Sequence, residues 1–297
     1  MRKELQVTGI EDWLDKARLR FVNNAPELLP LFETYSAEAR FGRRYIDSDL
    51  ERLQRNARIL EVGAGSLLLS CQLVIEGFEV TALEPTGEGF SHFDRMREIV
   101  LEEARSEGCS PLILNLPAEK LSDANRFDYA FSVNVMEHVD DVALVLINVT
   151  KSLTGGAQYR FTCPNYIFPY EPHFNVPTLF SKQLTEKALG KFIFSSRRVT
   201  DPVGTWTSLN WINVRQVGRY VKQQQGLKLF FNRTILVTTL DRMVTDSEFA
   251  ARRSVAMRLF LAMLVRMRIH VLFAFVPAFL QPIMDCSVQK INSSEVC

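Results

Sequence analysis

The chain has 297 residues and 47% hydrophobic content, enough for one large domain or a domain with additions. Its net charge of +1 gives no global electrostatic argument for nucleic acid, and no nucleic-acid partner is expected. The five cysteines, Cys71, Cys109, Cys163, Cys286 and Cys297, are scattered and form no C-x-x-C, which excludes a disulfide framework and a zinc knuckle and points to a reducing compartment.

Met1-Arg2-Lys3-Glu4 has no apolar run behind it, so no signal peptide is expected and the chain reads as cytoplasmic. Residues 1–56 read as a helical N-terminal cap. Trp13, Leu14, Ala17 and Phe21 recur at helical spacing. Arg40, Arg43 and Arg44 lie among aromatic residues and read as a solvated basic face.

Next comes Arg58-Ile59-Leu60-Glu61-Val62-Gly63-Ala64-Gly65-Ser66, an apolar strand ending in an acid and two glycines. Glycines at such a turn let backbone approach a ligand with no Cβ in the way. Ser66 is placed to cap a helix whose N–H groups face the same ligand. Phe78 to Leu83 then ends in Glu84, about 20 residues past the glycines, where doubly wound folds place an acid for ribose hydroxyls. The combination reads as a nucleoside site rather than an ordinary turn.

Residues 57–163 alternate between strands (Arg58–Val62, Glu79–Leu83, Leu112–Leu114, Tyr129–Val133, Gln158–Thr162) and helices (Leu67–Glu76, Glu88–Ser106, Val142–Leu153). Gly77 and Gly155-Gly156 read as helix stops. Alternation of this kind predicts an α/β, doubly wound, mostly parallel sheet with helices on both faces.

Glu61-Val62-Gly63-Ala64-Gly65 followed by Leu83-Glu84-Pro85 resembles the class I S-adenosylmethionine-dependent methyltransferases, with Leu67 where that family usually has a third glycine. Leu116-Pro117-Ala118-Glu119 resembles the segment that flanks adenine. Phe127 to His138 resembles the fourth strand and its exit loop. The resemblance implies S-adenosylmethionine as cofactor, a Rossmann-like methyltransferase fold over 57–245, and Glu61, Gly63, Ala64, Gly65, Glu84, Pro85, Ala118, Glu119, Asn134 and Val135 as cofactor-binding residues. Glu137-His138 reads as a brace for the loop. No second histidine or aspartate cluster completes metal spacing there, so no metal is expected.

The segment from Cys163 to Pro177 holds four prolines and the aromatics Tyr166, Phe168, Tyr170 and Phe174, and long loops of this kind are usually functional. Its one histidine, His173, is the candidate catalytic base, against a part in bonding the loop into shape. Residues 163–215 read as substrate-loop insertions, with a helix over Phe180–Leu189 ended by Gly190. Trp206 and Trp211 are compatible with an acceptor pocket or with satellite core. A helix is expected over Asn213–Gln225 and the closing strand or strands over Leu227–Leu240.

Residues 246–297 read as a basic, apolar helical tail. Arg252, Arg253, Arg258, Arg266, Arg268 and His270 occur among apolar runs with no acid between Glu248 and Asp285. Arginines interrupt the runs, so no spanning helix is expected. Residues 251–284 suit peripheral contact with an inner membrane surface, or packing on protein. The expected function is methyl transfer, on oxygen, to a small apolar or lipid-linked acceptor. The alternatives are a nicotinamide or nucleotide-sugar enzyme on the same fold, and a non-catalytic protein acting through its tail.

Overall fold

The computed structural model describes residues 9–85, 91–199, 201–245, 250 and 255–292. It divides into two units, residues 1–133 with 148–159 and residues 134–147 with 160–297.

In the first unit, helix α1 (Ile10–Asn24) buries Trp13, Leu14, Ala17 and Phe21, the four residues its periodicity singles out. The Trp13 indole donates to the Leu68 carbonyl at 2.9 Å. Helix α2 is Leu29–Leu50. Arg40 pairs with Glu11 at 2.8 Å, and Arg43 with Glu76 at 2.8 Å and Asp47 at 2.7 Å, so two of the three arginines expected as a solvated face are ion-paired.

Strands β1 (Arg58–Val62), β2 (Glu79–Leu83) and β3 (Leu112–Leu114) have the bounds read from sequence. Strand β4 is Phe127–Val133 and β5 is Leu153–Pro164, which belongs to both units. Helices α3 (Leu68–Ile75), α4 (Ser91–Glu107) and α5 (Val142–Ser152) form the crossovers. The start expected for α4 at Glu88 lies outside the described residues. Strand β1 is flanked in parallel by β2 and β4, and β2 by β3. Val62 lies opposite Leu83, and Leu83 opposite Leu114, so the three strands end level. The Gly63 turn and Glu84 both leave the sheet at that edge.

Two expectations fail here. Gly155 and Gly156 lie inside β5, which follows α5 without a break, so they stop no helix. Ser66 does not cap α3; the N-cap is Leu67, with φ +67° and no side-chain cap bond. Leucine thus takes the left-handed conformation in which glycine is usual.

The second unit carries strand β8 (Leu227–Phe231) antiparallel to β9 (Ile283–Lys290), and a small ribbon of β6 (Tyr170–Glu171) with β7 (Val176–Pro177). The sheet order is β3-β2-β1-β4-β5-β9-β8. Arg160 of β5 holds Asp285 of β9 through two bonds, 3.1 and 2.8 Å, both side chains being almost fully buried. The helical tail therefore ends before Ile283. Pro282 forbids a continuing helix, and Met284, Cys286 and Val288 alternate as buried strand residues.

The helices of this unit are α6 (Lys182–Phe194), α7 (Pro202–Ser208), α8 (Val214–Lys222), α9 (Ile235–Thr245) and α10 (Val255–Arg266). Gly190 does not end α6, which continues through it. Residues 235–240, expected as strand, are helical. Asn232 Oδ1 accepts the Thr234 N–H at 3.0 Å and turns the chain out of β8 there. Helix α10 buries none of its residues, and no helix among the described residues is long and apolar enough to cross a membrane.

Candidate active site

In the first unit the glycine turn is fixed by backbone bonds. Gly63 and Ala64 N–H groups donate to the Leu83 carbonyl at 2.8 and 3.3 Å. The Gly65 N–H donates to Glu84 Oε2 at 2.9 Å. Gly63 (φ +73°) and Gly65 (φ +49°) take left-handed backbone, and a Cβ at Gly65 would meet open space. Burial raises the Glu84 carboxyl, with the Gly65 N–H and the Arg97 charge opposing. Glu61 is buried beneath the turn, accepts a bond from the Ser70 hydroxyl, and is pushed up to about 8 by burial. Pro85 follows Glu84 and is exposed. Ala118 is buried, and the Glu119 carbonyl accepts Asn148 Nδ2 at 2.6 Å. Tyr35 of α2 feels the Glu84 charge, and burial pushes its hydroxyl up to about 12.

The second unit opens at Asn134, the residue after β4. Asn134 is exposed with φ +55°, and its N–H donates to the Thr162 carbonyl at 2.9 Å; Val135 follows, half-buried. Then come Glu137 and His138, and the structure brings His173 to them. One ligand atom from each of the three lies within 4.8 Å of the others, and the two imidazole rings meet edge-on at 5.3 Å.

Each member has a distinct setting. Glu137 is fully buried, and among the described residues no other residue hydrogen-bonds either carboxylate oxygen. Burial pushes it up to about 7, with the His173 charge opposing. His138 Nδ1 meets Ser208 Oγ at 2.8 Å, while that hydroxyl donates to the Thr205 carbonyl at 2.9 Å. The single hydroxyl proton is used there, so Nδ1 carries the hydrogen and Nε2 the lone pair. Burial lowers His138 to about 4, so it is neutral at pH 7. His173 Nδ1 meets Glu171 Oε1 at 2.6 Å. Glu171, fully buried, also accepts the His173 N–H at 3.1 Å, the Phe174 N–H at 2.7 Å and the Tyr166 hydroxyl at 3.3 Å. A carboxylate at Nδ1 fixes the ring and leaves Nε2 as the unprotonated nitrogen.

Three positioning residues had no sequence signal of their own. Glu171 orients His173 and Ser208 orients His138. Asn210 donates through Nδ2 to the Met136 and Val139 carbonyls, both at 2.8 Å, and through its N–H to the Glu137 carbonyl at 2.8 Å, clamping the loop. The two tryptophans are packing residues. Trp206 is buried and donates to Glu186 at 2.9 Å, and Trp211 stacks on Tyr166 at 4.4 Å.

The strand order and the glycine turn together define a class I methyltransferase fold, Rossmann-like, with a mostly parallel sheet that carries the antiparallel pair β8 and β9. The chain belongs to the family of the uncharacterized protein Rv1509 of Mycobacterium tuberculosis, with which it is 47% identical over 281 residues, 95% of each chain. No family model matches it. A ubiquinone biosynthesis O-methyltransferase of Rhizobium leguminosarum bv. trifolii is 30% identical over 117 residues, 39% of this chain and 42% of that one. Among solved structures, the [4+2]-cyclase SpnF superposes with a TM-score of 0.51 at 14% identity, over 86% of this chain and 82% of that chain, a likeness of fold.

Proposed function

We propose that the chain is a methyltransferase that moves the methyl group of S-adenosylmethionine to an oxygen of a small apolar or lipid-linked acceptor. The observation that carries this reading is the turn itself: two left-handed glycines tied by Gly65 N–H to an acid at the end of the neighbouring strand. Glu61, Gly63, Ala64, Gly65, Glu84, Pro85, Ala118, Glu119, Asn134 and Val135 are the proposed cofactor residues. The partial likeness to a protein named as an O-methyltransferase supports oxygen as the acceptor atom. In the reaction the acceptor oxygen bonds the methyl carbon, the carbon–sulfur bond breaks, and the sulfonium leaves as a thioether. The protein's part is to align the two and to take the hydroxyl proton. His173, oriented by Glu171, is the proposed proton acceptor.

Glu84 gives a direct check. Charge-assisted bonds are worth about 1.5–3 kcal/mol each, so Glu84→Ala is expected to weaken S-adenosylmethionine at least about tenfold. Calorimetry showing unchanged affinity removes Glu84 from the site.

Helix α10 and the turns after it support a lipid-linked acceptor. Leu259, Phe260, Leu272 and Phe275 are each more than half exposed, Arg258, Arg266 and Arg268 are exposed beside them, and no acid occurs from 255 to 284. Arg252 and Arg253 lie outside the described residues, and His270 turns inward to Asp241 at 2.9 Å. Apolar burial plus attraction to anionic lipid, about 1 kcal/mol for each basic residue at the surface, would hold such a face at a membrane. The test is incubation with labelled S-adenosylmethionine, a lipid extract and anionic vesicles at low salt. A labelled, extractable product and co-sedimentation are expected, both lost in Leu259→Gln/Phe260→Gln. No labelled product from protein that binds the cofactor overturns the enzyme. Full activity with no sedimentation removes the membrane. Truncation is the wrong probe, because cutting at residue 251 also removes β9.

A further inference from the structure

We propose that Glu137, His138 and His173 hold a divalent transition-metal ion of the zinc class, bound by two imidazole nitrogens and one carboxylate. Their ligand atoms are already gathered within 4.8 Å of one another. The independent observation is Glu137: fully buried, with both carboxylate oxygens unpartnered by any other residue among the described ones. A buried carboxylate is costly unless it is paired or on a metal, and a native protein seldom leaves one without either. Both imidazoles are held from behind through Nδ1, His173 by the Glu171 carboxylate at 2.6 Å and His138 by Ser208 at 2.8 Å. That is how metal-bound histidines are oriented, with Nε2 presented forward. The Asn210 clamp on residues 136–139 sets the position of the other two ligands.

Two histidines and a carboxylate suit zinc in a tetrahedral site with the fourth position open. Bonds of about 2.0–2.2 Å put tetrahedral ligands roughly 3.4 Å apart, so the side chains draw together as the ion binds. This rests on the reading of these residues as the place where an acceptor hydroxyl loses its proton. With the ion bound, His173 is a ligand and not the proton acceptor. The hydroxyl takes the fourth position, its acidity rises on the metal, and its proton passes to water.

The experiment needs neither cofactor nor acceptor. Full-length protein is stripped with a chelator, dialysed, and titrated with Zn²⁺ and with Co²⁺, the latter followed by its visible absorption. Stoichiometric binding is expected, with tetrahedral cobalt bands. Glu137→Gln and His138→Ala should each weaken it by more than about 100-fold, beyond the roughly 10–100-fold that the loss of an outer partner costs. His270→Ala, at a buried histidine outside the cluster, should leave it unchanged, and circular dichroism checks that each variant is folded. No stoichiometric ion, equal affinity in the variants, or binding of Mg²⁺ but not Zn²⁺ overturns the proposal. The methyltransferase reading fails separately, through absence of labelled product from protein that does bind zinc.

Discussion

Gly65→Val is expected to abolish S-adenosylmethionine binding while the protein stays folded. Gly65 has φ +49°, and a Cβ built there meets no atom of the described residues within 4 Å beyond its chain neighbours. The cost to the fold is therefore conformational. Left-handed backbone costs an L-residue roughly 1–2 kcal/mol, and a β-branched one more. For a chain of this size each kcal/mol lowers the melting temperature by about 2–4 °C, so a drop of several degrees is expected. The cost to binding is steric. The open space over the turn is where a ligand would meet the Gly65 backbone, and the Gly65–Glu84 bond, 2.9 Å, shares that edge. Calorimetry should find no binding. Retained affinity puts the cofactor elsewhere, and a melting collapse that accounts for the lost binding makes the glycine purely structural.

In protein stripped of metal, His173→Ala is expected to lower turnover by about 10²-fold, the scale of a general-base contribution. Cofactor affinity should hold if His173 acts only on the acceptor. Glu171 presents the ring through Nδ1 and fixes the neutral tautomer with its lone pair on Nε2, so Glu171→Gln, which leaves the ring without its charged partner, should lower turnover by a smaller factor. The defect should shrink as pH rises, since the acceptor hydroxyl then ionises without help. A loss below about threefold is too small for a general base and would leave His173 with a part in shaping its loop.

Strands β1, β2 and β3 were legible to the residue because parallel strands covered by helices are short, continuous apolar runs with abrupt ends. Helix α1 was legible because its buried face is strictly periodic. Residues 235–240 were not: isoleucine, valine and threonine favour strands only where a pleated surface receives them, and here Asn232 starts a helix instead. Gly155 and Gly190 failed as stops because a glycine ends an element only where the backbone turns with it, and the positive φ of Gly156, +80°, is taken up within β5. The glycine turn and Glu84 were readable, since both lie at fixed offsets from strand ends. The grouping of Glu137, His138 and His173, and the clamp by Asn210, were not. Their partners come from distant stretches of chain, and no local pattern encodes which loops meet.

Strand β9 holds an interior place between β5 and β8, yet the chain reaches it only after residues 232–282 have been laid down. On a ribosome, β5 would present a bare edge throughout that interval, and β8 would wait without a neighbour. Closing so long a connection is entropically slow, and open strand edges invite pairing with other chains. The Arg160–Asp285 pair acts as the latch of this late step, since each buried charge lacks its counterpart until the other arrives. Yield of folded protein in the cell should therefore depend on chaperone supply more steeply than the stability of the finished protein would suggest.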